Sequence, residues 1–205
     1  MNNKLHLGIE DEEFIRGKVP MTKSEVRAVT ISKLRLSKDS TILDVGAGSG
    51  SISIEAALNA SLGKVYAIER NDEGIELIKE NMKKFGAENI ELIHGLAPDD
   101  LPTEIKFDAI IIGGTGGNME LVLKYASEHL KNGGRLVLNL ITIENMYKAL
   151  QYIKENDFKD KELVQMSVSK GRFIKDITMM ESNNPIYIIS ATKQEGEKCQ
   201  ESLLE

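Results

Sequence analysis

Ile42-Leu43-Asp44-Val45-Gly46-Ala47-Gly48-Ser49-Gly50 is the stretch that decides the fold. Four residues of strand character run into three glycines at alternate positions, and residues 51–61 beyond them read as a helix. Glycine lets a chain turn sharply and lets backbone amides come close to a ligand. A short apolar strand, a glycine-rich turn and a helix form the opening unit of a Rossmann-type α/β domain.

The pattern repeats downstream. Val65-Tyr66-Ala67-Ile68 reads as a second strand, ended by Glu69. A helix follows over about 72–85, with Ile75, Ile78, Met82 and Phe85 on one face and Gly86 as its stop. Ile90 to Ile93 and Phe107 to Ile112 read as the third and fourth strands. Asn118 caps a helix to about His129, Gly133-Gly134 turns into a strand from Arg135 to Leu140, and residues 143–156 make another helix. Strands at about 161–168 and 186–192 close the series with no helical pattern between them, which predicts an antiparallel hairpin at one edge. The fold class expected is α/β: a mostly parallel seven-stranded sheet with an antiparallel edge strand and helices on both faces, the arrangement of class I methyltransferases, which this order resembles.

Upstream, residues 1–20 lack periodicity. Thr22-Lys23-Ser24-Glu25 reads as a capping box, followed by a helix to about Leu36. The organisation expected is an N-terminal segment and helix over 1–38 that closes the site, a cofactor-binding domain over 39–193, and a polar tail over 194–205.

Composition excludes several classes. The 205 residues are 41% hydrophobic and 28% charged, ordinary for a globular domain. No apolar run reaches a membrane span or a secretory leader, so no membrane partner is expected. The single cysteine, Cys199, forms no internal disulfide, and no metal site is signalled; a reducing cytoplasm fits. The net charge of −6 argues against nucleic acid as partner.

The glycine loop admits two ligand classes. A dinucleotide prefers G-x-G-x-x-G or G-x-G-x-x-A with its pyrophosphate on the helix N-terminus, and here Ser51 stands at the last position. Asp44 lies two residues before Gly46, where a carboxylate repels a pyrophosphate and suits the cationic amino end of S-adenosylmethionine, directly or through water. Glu69, 19 residues after Gly50, stands where an acid grips ribose hydroxyls. D-x-G-x-G-x-G matches the methyltransferase pattern, so the cofactor expected is S-adenosylmethionine, held by Asp44, Gly46, Ala47, Gly48, Ser49, Gly50, Glu69 and the adjoining Arg70.

The acceptor is less direct. The fourth strand runs into Gly113-Gly114-Thr115-Gly116-Gly117-Asn118, not the Asn/Asp-Pro-Pro-aromatic of an amino-adenine methyltransferase. Asn184-Pro185-Ile186-Tyr187 lies too late and reads as a proline turn entering a strand. No cysteine stands near the centre for cytosine C5 chemistry. The glycine run offers amides and space for a bulky anionic substrate.

Ile9-Glu10-Asp11-Glu12-Glu13-Phe14, Val19 to Arg27, Gly113 to Gly117, Lys170-Gly171-Arg172 and Thr178-Met179-Met180 together resemble the decarboxylating cobalt-precorrin C15 methyltransferases of anaerobic cobalamin synthesis, over roughly residues 8–193. The resemblance implies methylation of C15 of cobalt-precorrin-7 with loss of CO2 from the C12 acetate, giving cobalt-precorrin-8, and a homotetramer. It places Thr22 and Ala97 among the cofactor residues. Gly95-Leu96-Ala97-Pro98 departs from the family's usual Gly-Asp-Ala-Pro. An anionic tetrapyrrole makes Arg16, Lys23, Arg27, Arg172 and Lys175 the cations to consider, Arg27 and Arg172 foremost. Gly114, Thr115, Gly116 and Thr178 are the further substrate contacts expected, His94 is an acid–base candidate, and Met179-Met180 read as packing or as a hydrophobic wall. No catalytic residue stands out. A tRNA adenine or protein carboxyl methyltransferase of the same fold, or a binding module without activity, are the alternatives.

Overall fold

The computed structural model describes residues 6–194. A 3-10 turn at Asp11–Glu13 precedes α1 (Ser24–Leu34), and β1 (Thr41–Val45) leads into α2 (Ser51–Asn59). β2 (Lys64–Glu69), α3 (Asp72–Phe85), β3 (Ile90–His94), β4 (Phe107–Ile112), α4 (Met119–His129), β5 (Leu130–Leu140) and α5 (Ile143–Glu155) continue the alternation. β6 (Phe158–Met166), β7 (Ser169–Ile174), β8 (Ile177–Ser182) and β9 (Ile186–Lys193) follow without a helix.

Seven strands make one sheet in the order β3-β2-β1-β4-β5-β9-β6. β1 to β5 pair in parallel, and β9 runs antiparallel to both β5 and β6. The expected architecture holds, with the reversed strand lying one in from the edge. The order reverses between β1 and β4, and the crevice at the carboxyl ends of these strands is where an open α/β sheet takes its ligand.

Strand alternation builds two cores. Leu43, Val45, Ile110, Ile112, Leu136 and Leu138 face α4 and α5. Ile42, Ala67, Ala109, Ile111 and Val137 face α1 and α2. Asp44 shares the parity of Ile42 and therefore points toward α2.

α3 keeps the boundaries its sequence announces. The Asn71 side chain accepts from the Glu73 and Gly74 amides, and Gly86 stops the helix in the left-handed region at φ 64°. The capping box expected at Thr22 does not form. Lys23 is the N-cap with no side-chain bond, and Asp11 supplies the acceptor instead, taking the Ser24 amide at 2.9 Å. Glu25 turns away to pair with Lys170 at 2.8 Å.

β7 and β8 form a separate two-stranded ribbon between β6 and β9, with every residue exposed. Sequence reading left this segment without structure. Met179 and Met180 stand on it in the open, not in a core or a cleft wall. The Lys175 backbone, in its turn, has φ 51°. No helix among the described residues is long and apolar enough to cross a membrane. Cys199 and the tail from 195 onward lie outside the described residues.

Candidate active site

The β1 loop and the β4 loop meet back to back. The Gly113 and Gly114 amides both donate to the Val45 carbonyl, at 2.9 and 3.2 Å. Gly46 has φ 73°, and a Cβ there would stand 2.6 to 2.8 Å from three backbone atoms of Gly114. Glycine at position 46 is what lets the loops touch. The Gly114 amide is thus occupied within the protein and is not a free donor for substrate.

Glu69 is pinned before any ligand arrives. Its Oε2 accepts from the Gly48 amide at 2.8 Å, and its Oε1 from the Arg70 and Asn71 amides at 2.9 and 2.8 Å. Gly74, on the first turn of α3, makes this possible: a Cβ there would stand 2.8 Å from Glu69 Cγ and 2.9 Å from the Gly48 carbonyl oxygen. Sequence reading missed Gly74, although a glycine inside a helix without a break signals close packing.

Around these loops opens a cleft of about 800 Å³. Gly46, Ala47, Gly48, Glu69 and Arg70 floor it, and Thr22, Gly114 and Thr115 line it as well. A smaller chamber of about 170 Å³ adjoins it through Gly46, Glu69, Arg70, Gly114 and Thr115, and is completed by Leu96, Ala97 and Gly116. Most of the residues expected at the cofactor are therefore together.

Three are not in the cleft lining. Ser49 is buried behind the loop, and its hydroxyl has no hydrogen-bond partner among the described residues. Gly50 lies against Ile78, which leaves no room for a Cβ. Asp44 is buried on the α2 side and accepts from the Ser53 hydroxyl. Burial pushes its carboxyl up to about 6, with the nearby Glu69 charge adding to the rise and the Ser53 bond opposing it. Asp44 therefore lies behind the loop on the α2 side and is not part of the cleft lining.

The substrate side needs larger corrections. Arg27 is fully buried. Its Nε donates to Glu55 at 2.5 Å, its Nη1 to Asp11 at 3.3 Å and to the Thr22 carbonyl, and its Nη2 to the Ile9 carbonyl. Its guanidinium also lies 4.6 Å from the centre of the Phe14 ring. With its donors so engaged, Arg27 is a structural residue. Arg172 pairs with Glu181 at 3.0 Å on the ribbon, and neither it nor Thr178 reaches the cleft. Arg16 is exposed outside it. His94 is exposed at the end of β3, 3.3 Å from Asp72.

Of the cations considered, Lys23 does line the cleft, and the N-terminal segment brings Lys18 and Met21 there with it. Glu55 holds that segment by the Gly8 and Ile9 amides, and Asn81 clasps Ile15 by both its amide and its carbonyl. The far wall comes from the base of the ribbon and from the β5 end: Ile141, Met166, Val168, Ile186, with Asn145, Asn183 and Asn184. Asn184, set aside in the sequence as part of a proline turn, does line the cleft.

A family model described as the precorrin methyltransferase domain matches residues 13–193. A cobalt-precorrin-6B C(15)-methyltransferase (decarboxylating) of Salmonella typhimurium is 40% identical over 189 residues, spanning 92% of this chain and 97% of its own. The solved structure of a precorrin-6y C5,15-methyltransferase from Geobacter metallireducens superposes with a TM-score of 0.86 at 40% identity, over 91% of this chain and 97% of that one. A precorrin 8w decarboxylase from Methanobacterium thermoautotrophicum gives 0.84 at 32% identity, over 89% and 98%. Sheet order, pinned loop acid and sequence agree, and the chain belongs to the precorrin methyltransferase family.

Proposed function

We propose that this protein methylates C15 of a cobalt-precorrin with loss of CO2 from the C12 acetate, using S-adenosylmethionine. The observation that carries the proposal is the pairing of the pinned Glu69 loop with a wide cleft whose rim bears lysines and whose far wall mixes apolar side chains with asparagines.

The residues fit the cofactor. Gly46 and Gly48 give a floor without side chains, Glu69 lines both chambers, and the Asp44 charge lies below the loop where a cation is favoured. When bound, the cofactor supplies a methyl group already activated by its sulfonium. The protein's tasks are then to orient and to exclude water. Met21, Ile141, Met166 and Val168 offer apolar surface to the face of a macrocycle, and Lys18 and Lys23 offer charge to its carboxylate fringe. Loss of CO2 leaves an electron pair that the conjugated ring can carry to C15, so no strong base is required of the protein. Among the described residues no group of acids, histidines or cysteines could hold a metal ion.

Relatives are named for cobalt-precorrin-6B, whereas the reading here takes cobalt-precorrin-7 as substrate and cobalt-precorrin-8 as product. Incubation with each compound and labelled S-adenosylmethionine tests both. One methyl incorporated per CO2 released from cobalt-precorrin-7 supports the proposal. Transfer without CO2 removes the decarboxylating role, and turnover of cobalt-precorrin-6B alone moves the substrate.

The same reading has the enzyme working in the cytoplasm, without nucleic acid or membrane, as a homotetramer. Phe173 and Met180 on the β7–β8 ribbon, 81% and 65% exposed, supply apolar surface for self-association. Sedimentation of the purified protein tests the assembly.

A further inference from the structure

Charge is distributed unevenly around the large cleft. Among the described residues its charged lining is Lys18, Lys23, Glu69, Arg70 and Glu73. All of these come from the segment before α1 or from the junction of β2 and α3. Past Glu73 the lining carries no charge, and its polar side chains are asparagine amides and the Thr115 hydroxyl. On the decarboxylating reading proposed for this cleft, we infer that the acetate carboxylate that leaves as CO2 is seated against the uncharged wall, at Asn139 and Asn145, and that the lysines hold other carboxylates.

Asn139 is built into the sheet. It stands at the carboxyl end of β5, one residue past the Leu138 that pairs with Ile112, and so lies beside the start of the β4 glycine run. Its amide bonds the fully buried Thr30 hydroxyl at 2.9 Å, which ties it to α1. Asn145 lies half-buried on the first turn of α5, where the Thr142 hydroxyl accepts its backbone amide at 3.3 Å. Both line the cleft. C12 and C15 belong to one side of the macrocycle. Presenting C15 to the loops of β1 and β4 therefore brings the C12 acetate to the same end of the cleft, where β5 adjoins β4.

The chemistry selects the uncharged wall. The bond between the acetate methylene and its carboxyl carbon breaks, and CO2 departs neutral. The electron pair stays on the ring and passes by conjugation to C15, where methyl transfer takes it up. No proton, oxidant or reductant enters this step. A fixed cation against the carboxylate stabilises the starting state and gives nothing to neutral CO2, so it raises the barrier. A neutral amide donor positions the same carboxylate with a weaker hold.

Single-turnover mixing of the full chain with S-adenosylmethionine and cobalt-precorrin-7, labelled in the acetate carboxyl, tests the seat. Asn145→Lys is compared with Asn145→Met, which is similar in length and carries no charge. Ile141→Lys against Ile141→Met repeats the comparison on the same wall, at a side chain 69% exposed. At one position or both, lysine should slow CO2 release by about tenfold or more relative to methionine. The macrocycle, followed by fluorescence titration, should bind the lysine variant at least as tightly. Equal CO2 release by the lysine and methionine proteins at both positions overturns the inference. Slower release that comes with weaker macrocycle binding at both positions overturns it too. Absence of CO2 release by the unaltered protein removes the decarboxylating reading instead.

Discussion

Arg27 and Glu55 form an ion pair with no solvent contact on either side chain, Nε to Oε1 at 2.5 Å. The pair joins α1 to α2. It also holds the chain that roofs the cleft, because Glu55 accepts the Gly8 and Ile9 amides and Arg27 donates to the Ile9 and Thr22 carbonyls. Removing one member strands the other charge in the interior, which costs on the order of 3–5 kcal/mol. Arg27→Ala or Glu55→Ala should lower the unfolding free energy by that amount and loosen residues 8–22. Chemical denaturation with hydrogen exchange checks this. An Arg27→Ala protein of unchanged stability that has lost only macrocycle affinity would return Arg27 to the substrate.

Gly74→Ala separates helix propensity from site geometry. In an open helix the change would stabilise by up to about 1 kcal/mol. Here the new methyl meets Glu69 Cγ and the Gly48 carbonyl, both below 3 Å. The Glu69 carboxylate must then leave its place under the Gly48 amide. Calorimetry should show S-adenosylhomocysteine bound at least tenfold more weakly by Gly74→Ala, with the fold intact by circular dichroism. Unchanged affinity would show that Glu69 does not depend on this contact.

The sheet and the cofactor loop were legible because their signals are local. Ile42 to Gly50 carries strand, turn and helix start within nine residues, and Asn71 to Gly86 carries both ends of α3. The side of the sheet that Asp44 faces was also available from the parity of Ile42 and Asp44. The charges were not legible. Nothing near Arg27 in the chain announces that Asp11 and Glu55, 16 and 28 residues away, converge on it. A charged residue in an amphipathic helix looks the same whether it meets solvent, substrate or a buried partner. The β7–β8 ribbon escaped because neither strand has a buried face, so the apolar–polar alternation that marks a strand is missing.

Substrate charge recognition should follow the cleft and not the ribbon. Among the described residues no acid lies within ion-pair distance of Lys18, and the Lys23 ammonium is 3.7 Å from Asp11, which Arg27 already engages. Both are available to a carboxylate-rich ligand. Lys18→Ala with Lys23→Ala should weaken binding of an anionic tetrapyrrole by about tenfold to a hundredfold and flatten its salt dependence. S-adenosylhomocysteine affinity should move by less than about threefold. Arg172→Ala, on the ribbon and paired with Glu181, should leave monomer-level affinity unchanged. Fluorescence titration at two ionic strengths decides. The reverse ranking would place the macrocycle against the ribbon.

Asp44 should make both stability and cofactor affinity depend on pH around 6. Burial raises its carboxyl from the usual 3.8 to about 6. Between about pH 4 and 6 the folded chain therefore holds a proton that the unfolded chain has lost, so stability falls as pH rises through that window. Above it the full cost is present, roughly 3 kcal/mol at most. Asp44→Asn removes the charge and keeps an acceptor for Ser53. The variant should be more stable than the parent at pH 7.5, and the gap should close toward pH 4.5. Cofactor binding should run the other way. A cationic ligand above the loop favours ionised Asp44, so S-adenosylmethionine binds the parent more tightly as pH rises through 6, while Asp44→Asn shows weak binding with no step there. Calorimetry at pH 5, 6 and 7.5 on both proteins reads this directly. A step of equal size in the variant would assign it to another group.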